Sequence, residues 1–228
     1  MDTLTETVHR VEHAVKPHLR GVLHEVAFAV SLVTGTVIVC LAPGPRERVA
    51  ASVYAASVAL LFGTSAAYHR GSWGPRAHRV MARLDHSMIF VLIAGTYTPF
   101  SLLLLRGWVR WVVFGVVWGG AVAGISLRNA FRDPPRWVFV VLYLALGWVA
   151  VGVVPQILSA GGVAVFTLVV VGGVLYSVGA VVYARKKPDP SPRWFGFHEV
   201  FHAFTAVAFI CQYIAVSMAT YSLPHGTH

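Results

Sequence analysis

The sequence predicts an all-α integral membrane bundle of seven transmembrane helices, with the N-terminus cytoplasmic and the C-terminus outside. Three observations predict it. Of 228 residues, 57% are hydrophobic and only 12% charged, where a soluble domain carries roughly 25%; mean hydropathy is +0.68. A spanning helix takes about 20 apolar residues, and seven runs of that order stand between short polar breaks. The Lys and Arg residues at the ends of these runs alternate between a rich side and a poor one, the bias that orients membrane proteins.

The runs follow in order. Residues 19–41 come after a mixed-charge segment containing Asp2, Glu6, Arg10, Glu12 and Lys16. This run is too long for a signal h-region and lacks a small-residue cleavage pattern, so no cleaved signal is expected. Pro43-Gly44-Pro45 closes it, and 49–69 follows, ended by the stretch Gly71 to Pro75. The third run, 84–105, contains Pro99, which removes a backbone donor and should bend the helix, with Thr96 and Thr98 able to bond freed backbone groups. Next come 109–127, then Asp133-Pro134-Pro135, then 137–154. Pro155 and Gly161-Gly162 separate that run from 162–184, and Pro188 to Pro192 precede the last, 195–217. The expected organisation is a cytoplasmic segment at 1–18, one membrane domain at 19–218, and a short external tail at 219–228.

Fourteen basic residues gather on one side: Arg10, Lys16 and Arg20; Arg70, Arg76, Arg79 and Arg83; Arg128, Arg132 and Arg136; Arg185, Lys186, Lys187 and Arg193. The other side has four, Arg46, Arg48, Arg106 and Arg110. An odd number of spans makes this division clean. The net charge of +9 is thereby explained without a nucleic-acid partner, for which no basic face is left. Trp73, Trp108, Trp111, Trp137 and Trp194 fall near span ends, where indole is at home. Gly119-Gly120, Gly172-Gly173 and Gly179 read as close helix packing. Cys40 and Cys211 sit at different depths and read as small hydrophobes, not a disulfide.

Ionisable groups within a bilayer are costly and mark function. Ser65 and His69 fall on the last turn and a half of the second span, Asp85 at the opening of the third, and His198 and His202 near the start of the seventh. This topology brings all five to the cytoplasmic end. Histidines four apart share a helix face and can hold one metal, and Ser65 and His69 repeat that spacing. Zinc is the natural ion, because three neutral imidazoles leave a fourth position for water, whose pKa zinc lowers. Asp85 is then placed to accept a proton from that water or orient it, and Ser65 to bond the water or a substrate carbonyl; the alternative for Asp85 is a carboxylate near the helix N-terminus, facing its dipole or Arg83. His24 and Glu25 begin the first span on the same side and read as interfacial groups near the headgroups, the alternative being a supporting place beside the cluster. His86 adjoins Asp85 but points about 100° away around the helix, and His9, His13, His18, His78, His225 and His228 read as solvated.

These residues also carry a resemblance. The S-x-x-x-H of Ser65 to His69 with Arg70, Leu84-Asp85-His86-Ser87, Gly95-Thr96-Tyr97-Thr98-Pro99, Tyr143 with Gly147-Trp148, Gly173-Val174-Leu175-Tyr176, and His198-x-x-x-His202 stand in family order and spacing. Over about 19–217 the chain resembles the haemolysin III proteins of the progestin and adiponectin receptor superfamily. The resemblance implies a seven-helix fold with a cytoplasmic N-terminus, zinc on His69, His198 and His202, and a zinc-bound water held by Asp85. Adiponectin receptors and alkaline ceramidases imply hydrolysis of a lipid amide; bacterial members are associated with membrane lipid homeostasis and, by name, with haemolysis. Glu199 departs from many bacterial relatives.

Three functions compete. The first is a zinc-dependent lipid amide hydrolase of the plasma (inner) membrane, with Asp85 and Ser65 catalytic and membrane lipids as partners. The second is a non-enzymatic receptor, regulator or cytolytic pore with structural zinc. The third is an intramembrane metalloprotease, because His198-Glu199-Val200-Phe201-His202 reads H-E-x-x-H; no Asp-Gly ligand motif accompanies it.

Overall fold

Each apolar run becomes helix, because backbone groups in hydrocarbon must be satisfied within their own segment. A computed structural model describes residues 17–131 and 135–221; most of the expected segment at 1–18 and of the expected tail at 219–228 lies outside them, with His9, His13, His225 and His228. The helices are α1 (Val22–Cys40), α2 (Pro45–Arg70), α3 (Pro75–Pro99), α4 (Gly107–Ala130), α5 (Arg136–Gly147), α6 (Val154–Arg185) and α7 (Phe197–Tyr221). A π-turn at Phe100–Leu104 extends α3, and a 3₁₀ segment at Trp148–Val153 joins α5 to α6. Among the described residues, six helical stretches are long and apolar enough to cross a membrane, because Arg136–Arg185 runs on as a single stretch of 50 residues.

That stretch doubles back on itself. At 1.5 Å per residue, a straight helix would hold its two ends about 70 Å apart. Instead the Arg136 guanidinium lies 5.4 Å from the centroid of the Tyr183 ring, and Trp148 Nε1 donates to Ser177 Oγ at 3.0 Å. Gly162, at φ 75° and ψ 176°, supplies the non-helical backbone inside α6.

The third helix corrects an expectation. It begins at Pro75, nine residues before the apolar run, with proline in its first turn, where the missing N–H costs nothing. Arg76, Arg79 and Arg83 therefore lie on helix, not loop, as does the exposed His78. Asp85 is accordingly in the third turn and is not a group at the helix N-terminus.

The interior is apolar and close-packed around Tyr54, Phe62, Phe90, Leu104, Val117 and Val216, while Val33, Trp108, Val122 and Val163 face outward. An apolar exterior over an apolar core is the pattern of a membrane bundle. Glycine admits neighbours where helices cross: a Cβ on Gly172 would lie 2.6 Å from Gln212, and one on Gly120 2.7 Å from Leu146. Gly119 and Gly173 have no such neighbour, so only one member of each pair serves close packing. Just before Pro99, Thr98 Oγ1 donates to the Ala94 carbonyl at 2.9 Å and accepts from Trp118 Nε1 at 3.1 Å. Tyr97 braces the end of α5, donating to the Gly147 carbonyl at 2.6 Å and accepting from the Ala150 N–H at 2.7 Å.

Candidate metal centre

His69 is the penultimate residue of α2 and His198 the second of α7, with His202 one turn on. The antiparallel bundle sets these helix ends side by side. The ligand nitrogens of the three lie within 4.8 Å of one another, and the residues are buried. His69 Nε2 and His198 Nε2 are 3.1 Å apart, and ring centroids are 4.5 Å apart for His198 and His202 and 5.2 Å for His69 and His202. The triad can hold a metal ion. The donor set fits one: with metal–nitrogen bonds of about 2.0–2.1 Å, two nitrogens of a tetrahedral shell stand about 3.4 Å apart. His202 Nδ1 is buried without a hydrogen-bond partner among the described residues.

Asp85 approaches from α3, with Oδ2 3.8 Å from His69 Nε2. Ser65, one turn before His69 and buried, is a side-chain hydrogen-bond partner of Asp85. All five residues singled out in the sequence therefore meet at one end of the bundle. His86 lines the same cavity as Asp85, with both ring nitrogens engaged: its Nε2 pairs with Tyr183 Oη at 2.9 Å and its Nδ1 with the Ala82 carbonyl at 2.7 Å.

Two residues stand elsewhere than the sequence suggests. His24 is not at the headgroups. It is buried at 3% exposure, its ring stacked on His202 with centroids 3.6 Å apart and planes 9° from parallel. The signal for it was present: a histidine at the third position of an apolar helix is costly unless it has work to do. Glu25, its neighbour, does face outward and pairs with Arg70 at 3.0 Å. Glu199, the acidic member of H-E-x-x-H, is buried and committed: its carboxylate pairs with Arg20 and accepts the Gly196 N–H at 2.9 Å. A carboxylate so engaged is no free general base, and the protease-like reading of the motif loses its catalytic group.

Two of the three histidines, His198 and His202, open onto a cavity of about 180 Å³. His24, Ser65, Asp85, His198 and His202 line one end, and apolar side chains such as Ile93, Phe100, Val154 and Phe166 line the rest. The segment 17–21 packs against this end of the bundle, beside His69. The His18 N–H donates to the Arg193 carbonyl at 3.0 Å, and Gly21, at φ +85°, lies so close to His69 that a Cβ there would stand 2.7 Å from the His69 Cβ.

Comparison with known proteins agrees with this architecture. The family model described as haemolysin-III related matches residues 12–213. The chain is 31% identical to Hemolysin-3 of Bacillus cereus over 219 residues, covering 91% of this chain and 95% of that protein. It is 32% identical to a Hemolysin-3 homolog of Bacillus subtilis over 169 residues, 72% and 76% of the two chains. Over 186 residues it is 24% identical to the human monocyte to macrophage differentiation factor, 78% of this chain and 73% of that one. This multi-pass membrane protein belongs to the haemolysin III family.

Proposed function

We propose that the chain is a zinc-dependent hydrolase of lipid amides in the plasma (inner) membrane, with zinc held by His69, His198 and His202. One observation carries the reading: a buried imidazole triad, two of whose members line an apolar cavity inside the bundle, stands beside a carboxylate and a hydroxyl, those of Asp85 and Ser65, that line the same cavity. Three neutral nitrogens in a tetrahedral site suit zinc and leave a position open to chemistry. When bound, zinc supplies Lewis acidity toward a carbonyl oxygen and brings the pKa of water toward neutrality. Asp85 Oδ2, beside His69, takes the proton of the attacking water and returns it to the departing amine. The Ser65 hydroxyl, by its hydrogen bond, holds the Asp85 carboxylate in place. The apolar walls below bury the acyl chain and leave the amide at the triad.

The same arrangement supports a seven-crossing topology with the N-terminus cytoplasmic. The doubled-back stretch of 136–185 supplies two crossings, and the distribution of Lys and Arg favours that orientation.

Elemental analysis of the protein purified in mild detergent is the test. About one zinc per chain, absent from a His198→Ala, His202→Ala double variant, is the expected result. Asp85→Asn is expected to keep the zinc and lose about 100-fold or more in turnover of a lipid amide, the usual reach of a general base. Metal-free protein, or full turnover by Asp85→Asn, would sink the proposal. A second reading, structural zinc in a non-enzymatic regulator or pore, draws on the approach of Asp85 to His69, which offers a fourth protein ligand. It expects Asp85→Asn to lose zinc.

A further inference from the structure

His24 is used by none of the chemistry above, yet its surroundings are specific. It sits on α1, which contributes no other side chain to the centre, and its side chain lines the cavity beside the triad. One face of the imidazole lies flat on His202, and the edge of Phe62 closes in at 5.0 Å between centroids. Both ring nitrogens are buried, and neither has a hydrogen-bond partner among the described residues. Phenylalanine would fill this slot with no polar atom to satisfy, whereas two unpaired buried nitrogens are a recurring cost. The nitrogens of His24 are also not grouped with those of the triad, so its place is beside the centre and not within the ligand set.

We propose that His24 is a positioning and recognition residue: its ring fixes the plane of His202 by stacking, and its nitrogens hydrogen-bond the polar head of the lipid in the cavity. The inference rests on the reading of the cavity as a lipid amide site. A neutral imidazole offers one donor and one acceptor, which matches a head that presents both a carbonyl or hydroxyl oxygen and an N–H or O–H. An amide with a neighbouring hydroxyl meets both demands, and a simple ester meets only one. The two roles separate by substitution. His24→Phe keeps a flat ring against His202 but has no polar atom. His24→Gln keeps a donor and an acceptor but cannot stack.

The experiment uses the full-length, zinc-loaded protein in detergent, with N-dodecanoylethanolamine as probe. Probe affinity is read by titration calorimetry, and zinc release is read with a coloured chelator. His24→Phe is expected to bind the probe about tenfold more weakly, the scale of one lost buried hydrogen bond, and to release zinc at the parent rate. His24→Gln is expected to keep probe affinity within about threefold and release zinc about tenfold faster, as for a lost support of a metal ligand. Equal behaviour of all three proteins, the reverse pattern, or no binding of the probe to the parent would overturn the proposal. Neither readout needs turnover, so a parent that binds the probe and never cleaves it would sink the hydrolase reading while leaving the role of His24 standing.

Discussion

Glu199 and Glu25 are both carboxylates paired with arginine near one end of the bundle, and their environments set their worth. The Glu199 side chain is 1% exposed and its partner Arg20 20%. Glutamine keeps one acceptor oxygen, so removing the charge weakens the pairing with the guanidinium and leaves either Arg20 or the Gly196 N–H without its acceptor. Glu199→Gln should therefore lower stability by about 2 kcal/mol, the scale of a hydrogen bond to a charged group, while zinc stoichiometry is retained. Glu25 and Arg70 are 57% and 51% exposed, where solvent screens the pair. Glu25→Gln should change stability by less than about 0.5 kcal/mol. Thermal unfolding in detergent distinguishes them, and equal melting temperatures for the two variants would refute the assignment of Glu199 as the structural member. The contrast explains why H-E-x-x-H misleads here: the residue types match a zinc-protease helix, but the carboxylate of Glu199 is taken up by Arg20 and the Gly196 N–H.

At the scale of the element, the helices pack through small residues, and not every small residue is a contact. Gly124 of α4 lies where a Cβ would run into the Phe90 ring of α3, whereas Gly115 on the same helix has nothing within 4 Å. Phe90 is itself 1% exposed and wedged beside Tyr143, 4.6 Å between ring centroids, so it has no room to yield. Gly124→Val should cost about 1–3 kcal/mol from overpacking, and Gly115→Val should stay within about 0.5 kcal/mol. Melting curves of the two variants that coincide would refute the packing argument. The extension of α3 to Pro75 belongs at this scale as well. Arginines at 76, 79 and 83 fail any test of apolarity, yet their long stems follow the helix while their heads reach water. A count of apolar residues consequently starts the helix too late.

At the scale of the molecule, the doubled-back stretch of 136–185 decides how many times the chain crosses. If it crosses twice, the segment around Lys187 lies on the cytoplasmic side and the C-terminus outside. A fluorescent protein fused after Lys187 should then be bright, and an alkaline phosphatase fused at the C-terminus should be active in a bacterial host. The two ends of α7 reporting the same side would overturn the topology. The meeting of Arg136 with Tyr183 and of Trp148 with Ser177 argues for the two-crossing outcome, since no straight helix allows either contact.

The sequence by itself determined a helical membrane protein, the positions of its apolar runs, and the five residues that meet at the centre. These are legible because hydrocarbon imposes a length and a composition on each span, and because an ionisable group inside one stands out against them. Ser65 and His69 on one helix and His198 and His202 on another also needed only helical periodicity. What the tertiary structure alone decided depends on which helix faces which. It turned His24 from a headgroup residue into the neighbour of His202, tied Glu199 to Arg20, and set Asp85 beside His69 from a helix that starts earlier than its apolar run. Periodicity along a helix fixes which side chains share a face, but it carries no information about the rotation of that face toward another helix. That rotation is set by packing between segments far apart in the chain.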